Sequence, residues 1–505
     1  MAKRRWLLIW GAVLGLCASL PEPARAEGDL IPGIAVSLDN KARVQQVDAT
    51  NAILYKGAAD VLVLPGLLAD RKRQRVEVMA ESTGLSSNSI VEFLLISEAS
   101  QHGYEALCVS FARPSDIHKA LEFIGMKAGA PYNPQKFRMW PKGERVIISL
   151  VPRGTGSTST PVRIERLILD TKTGKPLPEA GFVFTGSIMV PLANGGKGQE
   201  YGADAWEPKA VVSIYNEPYS VLDIPRLTHK SEVYGEQVVN PQYALAKGML
   251  LSLYLEPEYQ GGRMRVKDLV LDVAPAVPDS VPSASNAVKN ASGAAQVRPD
   301  AQELAFRLTG QDGKVLNKTH RAEGVRQVLQ ELEEQGYDPF VAVRFKPGLR
   351  LDSVRNAGRA IANLDDEAGM RVEPPGPGQL YYRAFLVNEE WRQRENRPGQ
   401  PWELALARKD AGLSGKLTLV EVLEEGASLE PQFKTTEFAV SDAPALNRKL
   451  AEDAEARKKA GRRVRLPVVL VFADPAMQYG ELTEFIAPLI SSNYVVYVFL
   501  DEATK

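Results

Sequence analysis

Residues 274–299, APAVPDSVPSASNAVKNASGAAQVRP, decide how this chain is divided. Ala, Ser and Pro dominate them, and no aromatic residue occurs from Gly261 to Ala305. Such a stretch cannot bury enough apolar surface to offset the entropy lost on ordering. It reads as a flexible linker between an N-terminal part, 27–273, and a C-terminal part, 300–505.

Upstream of the linker, short apolar runs such as DVLVLPG, IVEFLLI, RVIISLV, FVFTGSIMV and MLLSLYL are punctuated by Gly, Pro and Asn. This is the pattern of a β-rich domain. One helix stands out, Ser115–Ile124. Ser115 is placed to cap it after Pro114, and Ile117, Ala120, Leu121 and Ile124 make one apolar stripe. Further upstream, MAKRRWLLIWGAVLGLCASLPEPARA (1–26) has a basic start, a short apolar core and a small-x-small end at Ala24-Arg25-Ala26. It reads as a secretory signal peptide, with the mature chain starting at Glu27 and no transmembrane segment after cleavage. The apolar run falls short of the ~20 residues of a spanning helix, although retention as an anchor is the rival reading.

Downstream, PFVAVRFKPGLRLDSV (339–354) and PVVLVFADPAMQYGEL (467–482) align without a gap. Pro339 matches Pro467, Pro347 matches Pro475 and Leu351 matches Tyr479. Each copy reads as a strand, a Pro turn and a helix start. Val354, Ala357 and Ile361 line the first helix; Leu482, Phe485, Ile486 and Leu489 line the second, which Pro488 should kink or end. Another helix, carrying Val325, Val328, Leu329 and Leu332, precedes the first strand and stops at Gly336. The fold class is therefore α+β: a β-rich N-terminal domain, then two small strand–helix–strand units, 300–376 and 377–505, forming an internal repeat.

Composition narrows the chemistry. The chain is 44% hydrophobic and 24% charged with a formal net charge of −1. No basic excess points to nucleic acid. After cleavage only Cys108 remains, which rules out an internal disulfide and any four-cysteine cage. In HGYEALCVSFARPSDIHKAL (102–121), Tyr104–Phe111 reads as a strand with Ala106, Cys108 and Ser110 on a small-residue face. His102 and Cys108 then stand ~20 Å apart and cannot share a metal. His118 sits four residues before Glu122, as a partly exposed pair. GTGSTS (154–159) lacks the third glycine of a dinucleotide loop, and NGGKGQE (194–200) lacks the Ser or Thr of a phosphate loop. Glu200, Asp204 and Glu207 around Tyr201 read as solvated loop acids, with a cation site as the rival. The run LNRKLAEDAEARKKAGRRVR (446–465) reads as a solvated helix with Asp453–Arg457 and Glu455–Lys459 pairs and a stop at Gly461. Its Arg462, Arg463 and Arg465, together with Trp391 and Trp402 of EEWRQRENRPGQPW (389–402), are the candidate partner-facing residues.

The segments HGYEALCV, RPSDIHKALEFIG, WPKGERV, FVFTGSI, YGAD and SVLDIPR, within 90–226, resemble the YdjY-like family of exported bacterial proteins. The resemblance implies an envelope location and no stated reaction. ELAFRLTGQDGKVLN, followed by VRQVLQELEEQGYDPFVAVRFKPGLRLDSV, looks like the periplasmic domain of ExbD/TolR-type transport proteins, and residues 303–505 resemble two such units. Those proteins carry a membrane helix bearing an acid. Trp6–Leu20 has none, so only a binding or dimerising role is implied.

The leading expectation is an exported, periplasmic, non-enzymatic protein without a cofactor. It would bind envelope proteins through the strand edges of its C-terminal units, and could pair as a homodimer. The alternative is a hydrolase or metal-dependent enzyme built from His102, Glu105, His118, Ser187, Tyr201 and Asp204. Convergence of three or more of these on one concave pocket is the discriminating observation.

Overall fold

The computed structural model describes residues 36–501 except 154–159, 193–195, 227, 229, 231–234, 260–264, 277–301, 368–369, 398–400, 410–411, 424–431, 462–466 and 493. The expected signal peptide, the GTGSTS turn and Arg462, Arg463 and Arg465 lie outside the described residues. The chain divides into two units. One comprises Ala24–Pro134 and Arg138–Val266, and the other is essentially Lys267–Lys505. No helix among the described residues is long and apolar enough to cross a membrane.

The first unit closes into a barrel. Its strands are β1 (Val61–Leu64), β2 (Leu67–Asp70), β3 (Arg75–Ser82), β4 (Phe93–Ser97), β5 (Ala106–Ser110), β6 (Arg145–Pro152), β7 (Phe182–Phe184), β8 (Ala210–Ser213), β9 (Leu222–Asp223) and β10 (Leu250–Pro257). They run β1-β2-β3-β10-β6-β7-β9-β8-β4-β5, and β5 pairs back onto β3 with Ala80 opposite Ser110. Eight strands thus form a ring, a size whose interior side chains can fill. The alternation of the sequence supplies that filling. Val76, Val78 and Ala80 of β3 stand opposite Leu255, Leu253 and Leu251 of β10, which meet Ile148 and Leu150 of β6. All are buried.

Strand directions define two ends. β4 and β5 are parallel, β8 is antiparallel to β4, β9 is parallel to β8, and β7 is antiparallel to β9. The starts of β4 and β5 therefore share one end with the finishes of β8 and β9. The finishes of β4, β5 and β7 share the other.

Helix α1 (Leu38–Leu54) is capped by Ser37, whose side chain accepts from Asn40 N–H. The Asn40 amide donates to Glu81 Oε2 and to the Gly248 carbonyl, both at 2.8 Å, and Val44 packs with Met79 and Leu250. Helix α2 (Pro114–Phe123) buries the expected Ile117, Ala120 and Leu121. It begins one residue early, because Pro114 takes the first helical position, where a missing N–H costs nothing. Ser115 is thus inside the helix and caps nothing. The strand expected from Tyr104 is shorter, since Gly103–Glu105 turn as a 3-10 helix before β5.

The second unit contains the repeat. Its first copy is β11 (Val266–Pro275), β12 (Leu304–Gly310), α4 (Ala322–Glu334), β13 (Asp338–Phe345), α5 (Leu351–Glu367) and β14 (Arg371–Val372). The second is β15 (Trp402–Lys409), β16 (Gly412–Leu423), β17 (Gln432–Val440), α6 (Ala443–Lys459), β18 (Val468–Ala473), α7 (Tyr479–Phe485), α8 (Ala487–Ser491) and β19 (Val495–Leu500). The sheets run β12-β11-β13-β14 and β17-β16-β15-β18-β19. With β17 set aside, the two orders correspond. Pro488 stands at the second position of α8 and divides the second helix as its ring requires. Gly336 and Gly461 take the positive φ values, 81° and 62°, that end α4 and α6.

The copies grip each other through their Pro turns. Leu351 N–H donates to the Met477 carbonyl (2.9 Å), and Tyr479 N–H donates to the Leu349 carbonyl (2.7 Å). Asp352 N–H donates to Pro475 (3.1 Å), and Gly480 N–H donates to Pro347 (2.9 Å). Leu351 is aligned with Tyr479 and Pro347 with Pro475, so every bond has a counterpart with the roles exchanged. The arrangement is a local twofold within one chain.

The linker expectation needs correcting. Ala274 and Pro275 lie in β11, paired with Ala305 and Leu304 of β12. Residues 277–301 therefore join two strands of one hairpin, where the second copy uses only 410–411. The first copy starts at Val266 rather than 300, and the second at Trp402 rather than 377. Low apolar content marks a segment that leaves a core. A hairpin loop does so as readily as a tether does, and composition cannot separate the two.

Candidate functional site

Three of the quoted segments converge at the barrel end where β5 and β7 finish. PSDIH brings His118 on α2, FTGS follows β7, and YGAD enters the short helix α3 (Gly202–Ala205). His118 Nδ1 lies 2.9 Å from the Tyr201 hydroxyl, and Nε2 lies 3.3 Å from Glu122. Burial pushes the Tyr201 phenol well above its ordinary range, so it keeps its proton and shares a hydrogen bond with Nδ1, while Nε2 faces Glu122. The ring edge of Phe184 packs against His118 with centroids 5.1 Å apart. Gly186 makes this approach possible. It has φ +81°, and a Cβ there would stand 2.8 Å from His118 Cε1 and 2.7 Å from Ala128 Cβ.

The remaining polar groups of this end hold backbone. Ser187 donates to the Tyr219 carbonyl (2.8 Å) and accepts from Ala203 N–H (3.1 Å). Asp204 Oδ1 accepts from Ser115 N–H (3.0 Å), which satisfies the start of α2 from outside the helix. Asp116, buried, accepts from Arg113 and Lys119. Glu207 faces Ser100 and Lys209 instead of Asp204. The geometry thus brings His118 and Tyr201 into direct contact, with Ser187 and Asp204 on neighbouring backbone. Each hydroxyl, carboxylate and ring nitrogen of these four has a partner supplied by the fold.

His102 and Glu105 belong elsewhere. His102 Nδ1 is 2.6 Å from Glu105, and Nε2 is 4.0 Å from Glu207. Glu105 opens β5, so it lies toward the other barrel end, where a group of carboxyls gathers that the sequence did not single out. Glu92, Glu217 and Asp223 are buried beside Tyr215 and Asn216. Asp223 Oδ1 accepts from Asn216 (3.1 Å) and Ile224 N–H (2.7 Å), the Glu217 backbone N–H also bears on this carboxyl, and its Oδ2 has no well-aligned donor among the described residues. Glu217 Oε1, Glu92 Oε1 and Ser220 Oγ are buried without partners as well. Among the described residues the close cation is Lys230, 2.7 Å from Glu92. Burial raises the Glu92 and Asp223 pKa values and pushes Glu217 up to about 8. The charge of Glu92 pushes Glu217 the same way, and Lys230 opposes it. Burial of this kind favours the protonated form of a carboxyl. Of NEPYSVLD (216–223), SVLD fell within a segment quoted for its resemblance, but only the enclosure of a Glu and an Asp by apolar neighbours could have flagged the carboxyls.

Cys108 is fully buried, and burial pushes its thiol up to about 12, far from the thiolate range. No group of three or more His, Cys, Asp or Glu among the described residues is disposed to hold a metal ion. The tryptophans expected to face a partner do not. Trp391 is 7% exposed and packs edge-on against Tyr497, and Trp402 is 3% exposed in the core of the second copy. Their large apolar surface is used by the fold itself. The neighbouring Arg394 grips Glu403 with two bonds of 2.7 and 2.8 Å.

Residues 67–196 match the family model of the YdjY domain. No curated protein matches the chain. Among solved structures, the crystal structure of prototype foamy virus protease–reverse transcriptase is found at 12% identity. The alignment covers 48% of this chain and 36% of that one, with a TM-score of 0.11, which carries no argument about fold.

Proposed function

We propose that this protein is an exported cell-envelope protein that binds protein partners, with the YdjY-like barrel and the two repeat units as binding modules. One observation carries the reading: the side chains with reactive potential hold the fold together. Ser187 is bonded to Tyr219 and Ala203, Asp204 to α2, and His118 to Tyr201 and Glu122. A nucleophile must instead present a free lone pair beside a base. The two copies share one order, a hairpin followed by helix, strand, helix and strand, and as part of the same proposal they act as the paired binding units.

The surface best suited to a partner is the outer edge of β17, one of the two edge strands of the five-stranded sheet and unpaired on that side among the described residues. Lys434, Thr435, Thr436 and Glu437 are exposed along it. An edge strand offers unpaired N–H and C=O groups to an extended peptide. Along such a strand, N–H groups point alternately inward and outward. One of Thr435→Pro and Thr436→Pro therefore removes an outward N–H and should leave the sheet intact. Envelope proteins captured by the wild-type chain should be lost with that folded variant. Unchanged capture by both variants would exclude this edge as the binding surface.

A further inference from the structure

Helix α5 of the first copy carries two arginines that the fold does not neutralise. Arg355 is half-buried, and its Nε is fully enclosed without a hydrogen-bond partner. Arg359, one turn later, is exposed. Neither has a carboxylate of the described residues within salt-bridge reach. The acids nearby are engaged by others: Asp352 accepts from Arg350 at 2.7 and 3.3 Å, and Glu389 accepts from Arg392. Arg392 also pairs with Asp501 and lies over the Phe499 ring at 5.0 Å. Burial, and the charges of Arg359 and Arg392, weigh against the cation at Arg355, and Glu389 and Asp352 offset them only in part. A guanidinium stays charged regardless. An enclosed guanidinium N–H left without an acceptor is a standing cost, and an anion seated on it would relieve that cost.

We propose that Arg355 and Arg359, with Arg392 beside them, form a binding site for a phosphoryl oxyanion. Side chains one turn apart on a helix are ~6 Å from each other, a spacing that lets two planar forks bracket one phosphate group. The site belongs to the first copy only. Extending the gapless alignment places Thr483 and Ala487 of the second copy at these positions. Free phosphate and the headgroup of an anionic phospholipid share this chemistry.

The test uses the full mature chain. Inorganic phosphate is titrated by calorimetry, and flotation is measured with phosphatidylglycerol vesicles and with phosphatidylcholine vesicles. Wild type should bind phosphate and be stabilised by it against heat. Arg355→Gln and Arg359→Gln should each weaken binding ten- to a hundredfold, the effect of losing a charge-assisted hydrogen bond. Arg408→Gln, whose arginine is already paired with Glu481, should leave binding unchanged. Arg359 is exposed, so its variant reports even if the Arg355 variant fails to fold. Flotation with phosphatidylglycerol alone, lost in both variants, would assign the headgroup as the source, and phosphate binding without flotation would assign the free ion. Absence of binding to both, or binding indifferent to both variants, would overturn the site.

Discussion

Replacing Glu217 by glutamine should stabilise the barrel at neutral and alkaline pH and leave it unchanged in acid. In the folded chain Glu217 titrates near pH 8, against an ordinary value of 4.5, and burial is the main cause. Below pH 4.5 both folded and unfolded chains carry the proton, so the group costs nothing. Above that, the unfolded chain releases a proton that the folded chain must keep. Stability falls by about 1.4 kcal/mol per pH unit until the folded group itself ionises. The loss reaches ~3 kcal/mol at pH 7 and levels off near ~5 kcal/mol above pH 8. Glutamine has no proton to release, so this slope should vanish. The assay is urea unfolding between pH 4 and 9, read by hydrogen exchange of peptides covering β5 and β10, which reports the barrel separately from the repeat. The decisive quantity is the difference between variant and wild type: near zero at pH 4 and growing through pH 8. Parallel curves for the two proteins would show that Glu217 is not held neutral, and the account of the buried carboxyls would fall with it.

Three further outcomes follow from the same barrel. Tyr201→Phe leaves His118 Nδ1 without its hydrogen-bond partner and should cost about 1–3 kcal/mol in the urea midpoint of the barrel, without touching the repeat. Gly186→Ala adds a methyl where φ is +81° and His118 and Ala128 are already in contact; an expected loss of more than ~2 kcal/mol would show as a lowered melting temperature, and an unchanged one would disprove the close packing. Cys108 should resist a thiol reagent at pH 8 in the native protein and react fully in denaturant, since its thiol ionises only near pH 12.

Periodicity carried the helices well. The stripes on α2 and α5 are buried as spaced, and that on α4 buries Val325 and Leu329 with Val328 and Leu332 half-buried, because each helix has one core to face. Pro488 and the glycines at 336 and 461 acted where their backbone chemistry placed them. The repeat was legible because two strand–turn–helix copies kept their prolines. What escaped was long-range. Ring closure of β5 on β3 joins residues whose pairing no local pattern encodes. Helix α1 was missed because its apolar residues do not line one face: Val44 is buried while Leu38 and Ile53 are exposed. At the candidate site, the His118–Glu122 pair followed from spacing within a helix. Tyr201, Asp204 and Ser187 found their partners across the fold, and the buried carboxyls became visible only as neighbours in space.

The hairpin position of residues 277–301 changes what that segment can do. Its two ends are fixed on adjacent strands, about 5 Å apart, so lengthening or shortening it moves neither half of the molecule. Covalent connection between barrel and repeat runs through 258–265 instead. A single proteolytic nick in 277–301 would leave both fragments laced together by seven paired positions, from Leu269–Gly310 to Pro275–Leu304, and the cut protein would still migrate as one particle until denatured.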